Sequence, residues 1–115
     1  MSEHIWGYHP ASGYRTGTDL VGFKVEATDG GIGKIDKHSD GVGAAYLVVD
    51  TGVWIFGKHV LLPAGTITRI DTAEEKVYVD RTKDEIKDAP EFDKGKHTDD
   101  PRYLEQLGKY YGQHM

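Results

Sequence analysis

The sequence predicts an all-β fold: a small six-stranded antiparallel barrel with a short helix after the last strand and a C-terminal helical tail. Three observations predict it. Of the 25 Val, Ile, Leu and Phe residues in the 115-residue chain, 20 fall between positions 19 and 81, so a single core is concentrated in the middle; the length suits one domain. Apolar residues in that segment alternate with period two, the spacing that turns one face of a strand to a core and the other to water. Turn-forming Gly, Asp and Pro interrupt the alternation at short intervals, as in small barrels.

Each element follows from its own residues. In residues 20–28, Val21, Phe23, Val25 and Ala27 share one face, and Lys24, Glu26 and Thr28 the other. Asp29-Gly30-Gly31 is a turn signal, because glycine reaches positive φ without steric cost. Residues 32–38 are then the returning strand of a hairpin, with Gly33 marking a bulge. After a glycine-rich loop at 39–43, residues 44–51 are apolar on nearly both faces and predict a central strand. Residues 52–58 form a loop, and 59–63, 66–71 and 76–80 are three further short strands. Thr82-Lys83-Asp84-Glu85 is a capping box, so a helix starts here and stops before Pro90. Asp99-Asp100-Pro101 starts a second helix, whose Tyr103, Leu104, Leu107, Tyr110 and Tyr111 form an apolar stripe ending at Gly112. The chain divides by composition into an N-terminal arm (1–18), the barrel domain (19–93) and a polar tail with a short helix (94–115).

Composition excludes several classes of function. There is no cysteine, which removes disulfides, thiolate nucleophiles and cysteine-held metals. With 14 Lys+Arg against 19 Asp+Glu the net charge is −5, and this argues against a nucleic-acid binder working by phosphate neutralisation. No apolar run is long enough to span a membrane, and the N-terminus has neither the basic nor the apolar region of a secretory signal. The expected compartment is the cytoplasm.

The motifs are sparse. Asp29 to Lys34 reads DGGIGK, yet Thr28 and Ile35 stand where a phosphate loop needs glycine and a hydroxyl residue, so this is a hairpin turn. Asp36-x-His38-x-Asp40-Gly41 begins like a calcium loop, but Leu47 replaces the terminal glutamate. Asp36 and His38, brought near His59 by the fold, are candidate ligands for a transition metal. Ser2, Ser12 and Ser39 are the only serines and none lies in a nucleophile elbow, so the expectation is a protein that is not an enzyme and carries no cofactor. The glycine-bounded Trp54, Ile55 and Phe56 either cap the barrel or form an apolar patch of the kind that marks partner sites. Tyr110 and Tyr111 of the tail are further candidates for partner contact.

Taken together, DLVGFKVEATDGGIGKIDKHSD, AAYLVVDTG, WIFGKHVLLPAGTITRID and VYVDRTKDEIKDAPEFD resemble the PRC-barrel family over roughly residues 19–93. That family includes the cytoplasmic barrel of the photosynthetic reaction-centre H subunit and a ribosomal-RNA maturation factor, and the tail DDPRYLEQLGKYYG is similar to the end of its stand-alone bacterial members. The resemblance implies a PRC-type barrel acting as a non-enzymatic assembly or adaptor module that docks onto a larger protein partner. It also implies a homodimer. A small-ligand or metal-binding protein using the His/Asp cluster is the alternative.

Overall fold

The alternating segments become six strands in the computed structural model, which describes residues 5–7, 19–39, 45–52, 59–89, 92 and 100–113. They are β1 (Lys24–Ala27), β2 (Gly30–Ser39), β3 (Tyr46–Asp50), β4 (His59–Pro63), β5 (Ile67–Asp71) and β6 (Lys76–Val79). Two helices follow, α1 (Lys83–Asp88) and α2 (Pro101–Gln113). The strands form one sheet in the order β4-β3-β2-β1-β6-β5.

One feature of this sheet corrects the expected all-antiparallel pairing, and a second leaves the sheet unclosed. β1 pairs with β6 in parallel, while each other neighbouring pair is antiparallel. Followed from strand to strand, these directions make β4 and β5 run in the same sense. The 3₁₀ turn Ala64–Thr66 between them therefore carries the chain onward instead of reversing it, and a reading built on successive hairpins misses this. Pairing also stops at β4 on one side and β5 on the other, so the sheet is open. It is nonetheless strongly curled. Six strands laid flat would hold their edges about 24 Å apart, whereas the three residues joining β4 to β5 reach only about 13 Å.

The β1–β2 hairpin owes its shape to Gly33. The register passes from Val25↔Gly33 to Glu26↔Gly31, leaving Ile32 as an extra residue turned into the core. Gly33 has φ +152°, and a Cβ there would overlap the carbonyl of Asp50 on β3. Just upstream the period-two expectation fails at Val21, which is 52% exposed. The strand begins only at Lys24; before it, Val21 N–H donates to Asp19 Oδ1 and Phe23 N–H to Leu20 O, a turn that aims Val21 outward.

Both helix starts form as the sequence predicts. Thr82 Oγ1 accepts from Glu85 N–H and Glu85 Oε1 accepts from Thr82 N–H, at 3.1 and 2.9 Å. At α2, Asp100 Oδ1 accepts from Arg102 N–H at 2.9 Å, with Pro101 in the first helical position. Tyr103, Leu107 and Tyr111 of this helix are buried with Val25, Ile35, Leu47, Leu62 and Val77 in one continuous core. Residues 5 and 6 are anchored as well. Ile5 O accepts from Gly65 N–H at 2.7 Å and Trp6 O from Ala45 N–H at 2.8 Å. A Cβ on Gly65 would lie 2.6 Å from the Ile5 carbonyl oxygen, so the approach needs glycine. Ile5 and Trp6 thereby add their partly buried side chains to the core.

Candidate functional site

The three proposed metal ligands do not converge. A bulge makes Asp36 the extra residue between the Ile35↔Val49 and Lys37↔Val48 pairs, which interrupts the alternation that would align Asp36 with His38. Asp36 Oδ2 instead lies 3.7 Å from His59 Nε2. His38 turns the other way. Its Nε2 accepts from the Leu20 N–H at 3.2 Å and lies 3.9 Å from Asp19 Oδ1, so that lone pair is already used. Among the described residues, no three His, Asp or Glu side chains are grouped to hold a metal.

The tail tyrosines separate in a similar way. Tyr111 is wholly buried and has no surface to offer a partner; burial also raises its phenol well above the ordinary range. Tyr110 is half-buried, donates from its hydroxyl to Glu85 O of α1 at 2.6 Å, and has its own phenol raised chiefly by desolvation. Both side chains fasten α2 to the body. The loop with Trp54, Ile55 and Phe56 lies outside the described residues.

Arg81, 3% exposed, completes this fastening. One terminal nitrogen donates to Asp80 Oδ1 at 2.6 Å, and the other to Tyr111 O at 2.9 Å. Tyr111 lies in the last turn of α2, which has no basic residue of its own. Arg81 therefore reaches across from the end of β6 to satisfy a helix-end carbonyl and oppose the helix dipole. Phe92 provides another tie, bridging to His59 of β4 while its ring lies 5.6 Å from that of Tyr103.

The outward face of the sheet is different. The strand register places His59, Asp50, Lys34, Lys24, Lys76 and Asp71 in one row across all six strands. At its centre Lys34, Lys24 and Lys76 are direct cross-strand neighbours on β2, β1 and β6. Like charges placed directly opposite destabilise a sheet by on the order of a few tenths of a kcal/mol per pair. No ion pair of these three lysines occurs among the described residues. The acids at the ends are engaged by other groups. Asp50 accepts from Gly52 N–H at 3.0 Å. Asp71 accepts from Glu74 N–H at 3.0 Å and from Arg69 at 2.8 Å, and chiefly the Glu74 amide holds its carboxyl below the usual range. The next row carries Glu26, Tyr78 and Arg69, with the guanidinium 5.0 Å above the Tyr78 ring. Beside Lys34 the surface dips into a hollow of about 260 Å³ lined by Gly33, Lys34, Asp50, Thr51 and Gly52.

A crystal structure of RimM from Pseudomonas aeruginosa, a protein ascribed to 16S ribosomal RNA processing, superposes on this fold with a TM-score of 0.51 and 26% sequence identity. The fold is PRC-barrel-like. The match covers 66% of this chain and 50% of the RimM chain, so the likeness extends over only half of that protein. No protein-family model matches the chain, and no curated protein matches it. No helix among the described residues is long and apolar enough to cross a membrane.

The neighbour corrects the expectation about partners. Net charge argued against nucleic acid and the family resemblance pointed to a homodimer with a protein partner, whereas the structural relative is ascribed to ribosomal RNA processing. Net charge is a weak guide to partners because it sums over the whole chain, while binding depends on where the cations lie. Lys24 occupies a polar position in an alternating segment and was legible as exposed. Its alignment with Lys76 depends on the parallel β1–β6 pairing, for which the sequence offers no local signal.

Proposed function

We propose that this chain is a non-enzymatic adaptor module of the PRC-barrel type, acting in the cytoplasm on a precursor ribonucleoprotein during 16S ribosomal RNA processing. The likeness to RimM carries this reading. The architecture supports it: the curled sheet is filled by its own side chains and by α2, which leaves the outward faces and loops to make contacts, as in other scaffolds that work by docking. The test is sedimentation of the full chain in lysate of its native cell, together with depletion of the protein. The expected result is co-sedimentation with immature small ribosomal particles and an increase in unprocessed 16S precursor on depletion. A chain that stays at the top of the gradient at low salt, with precursor processing unchanged on depletion, would overturn the proposal.

A further inference from the structure

We infer that the Lys34–Lys24–Lys76 row is a contact surface for the phosphate backbone of single-stranded RNA; the inference deepens the ribosomal reading above and rests on it for the identity of the RNA. The first support is geometric. Three strands that are not consecutive in sequence present their lysines at one level, as adjacent cross-strand neighbours. Lys24 and Lys34 are exposed and Lys76 is half-exposed. A stack of like charges opposes its own sheet, and an anionic chain laid across it removes the repulsion. A polyanion with regularly spaced charges matches such a row better than one carboxylate does, and it releases counterions on binding.

The second support is the adjoining row. Tyr78 lies two residues along β6 from Lys76 on the same face and is half-exposed, with Arg69 stacked on its ring. An aromatic ring beside a cationic track is the composition of surfaces that bind single strands by pairing phosphate contacts with base stacking. The ring offers a surface on which a base of a single strand stacks. Glu26 shares the Tyr78 row and opposes a polyanion, so its neutralisation should tighten binding.

The experiment is fluorescence anisotropy of the full chain with a labelled single-stranded RNA, repeated between about 50 and about 200 mM salt. Vesicles containing phosphatidylserine form a parallel arm. For three phosphate contacts, the affinity of the wild type should fall about eighteenfold across that range. Each of Lys24→Gln, Lys34→Gln and Lys76→Gln should reduce the log–log salt slope by roughly 0.7, and the triple variant by about 2. The triple Lys→Arg variant should keep the slope, Glu26→Gln should tighten binding, and Tyr78→Ala should weaken it without changing the slope. Melting temperatures establish that each variant is folded. Absence of RNA binding by the wild type, an unchanged slope in the triple Lys→Gln variant, or lysine-dependent binding to vesicles without RNA binding would each overturn the inference. The two readings fail separately. Co-sedimentation with precursor particles that survives the triple Lys→Gln change removes the row and leaves the adaptor function, whereas row-dependent RNA binding without particle association removes the ribosomal reading.

Discussion

The sheet carries two kinds of cation and treats them oppositely. Arg81, at the end of β6, is buried and donates both to Asp80 and to the last turn of α2. Lys34, Lys24 and Lys76 stand on the outward face in a row, beside one another and without ion pairs among the described residues. A buried charge is tolerated only where its desolvation is offset by a counter-charge and hydrogen bonds; both terminal nitrogens of Arg81 are so engaged, while its Nε has no hydrogen-bond partner among the described residues. The exposed row makes no ion pair among the described residues, and solvent and counter-ions offset its charge where no ligand is bound. The difference shows which groups maintain the fold and which are available to a ligand.

The inner region breaks most easily at Gly33. Gly33→Val combines an unfavourable φ with overlap of the Asp50 carbonyl, and should destabilise by about 3 kcal/mol or more. Urea denaturation checks this, and a midpoint near that of the wild type would show that the β2–β3 contact yields. Next is Arg81→Met, which leaves the Tyr111 carbonyl at the end of α2 without its donor and should cost about 2 kcal/mol. Hydrogen exchange should show the loss concentrated in the last turns of α2, and Arg81→Lys should recover only part of it because lysine has no second arm.

Smaller effects sharpen the same contrast. Thr82→Ala removes half of the capping box and should cost about 1 kcal/mol, read as a lower thermal midpoint. Tyr111→Phe removes a buried hydroxyl that has no hydrogen-bond partner among the described residues, so the change should be neutral or stabilising by up to about 1 kcal/mol. It should also alter the alkaline limb of stability. The phenol is raised in the fold by burial, so the folded state keeps its proton where the unfolded chain, with a pKa of about 10, has lost it. The contribution of Tyr111 is full below that pH and declines as pH rises above it. Denaturation midpoints measured across this range should fall less steeply in Tyr111→Phe than in the wild type.

How much of this was legible follows from which signals are local. β4 spans the expected residues 59–63, the capping box forms at Thr82, and Gly33 marks a bulge, because alternation, caps and glycine geometry are written in neighbouring residues. The parallel β1–β6 pair was not legible: it depends on a 3₁₀ turn at 64–66 that carries the chain forward, within a segment rich enough in Pro and Gly to read as an ordinary reversal. Arg81 looks like a surface residue in sequence, beside an acid, and becomes interior only when α2 packs on the sheet. The candidate site shares this limit. Period-two alternation puts Lys24 and Lys76 outward, the bulge at Ile32 turns Lys34 to the same side, and tertiary register alone aligns the three. His38 shows the converse, since its spacing from Asp36 suggested a ligand pair that a bulge and a backbone amide prevent.

The contrast between the inner and outer cations is tested most directly by measuring urea midpoint and RNA salt slope on the same two variants, Arg81→Met and the triple Lys→Gln change at 24, 34 and 76. The account predicts that Arg81→Met lowers the midpoint and leaves the slope of the folded protein intact, whereas the triple variant keeps or slightly raises the midpoint and loses a slope of about 2. A triple variant that loses stability while its slope is unchanged would contradict it, because the row would then belong to the fold.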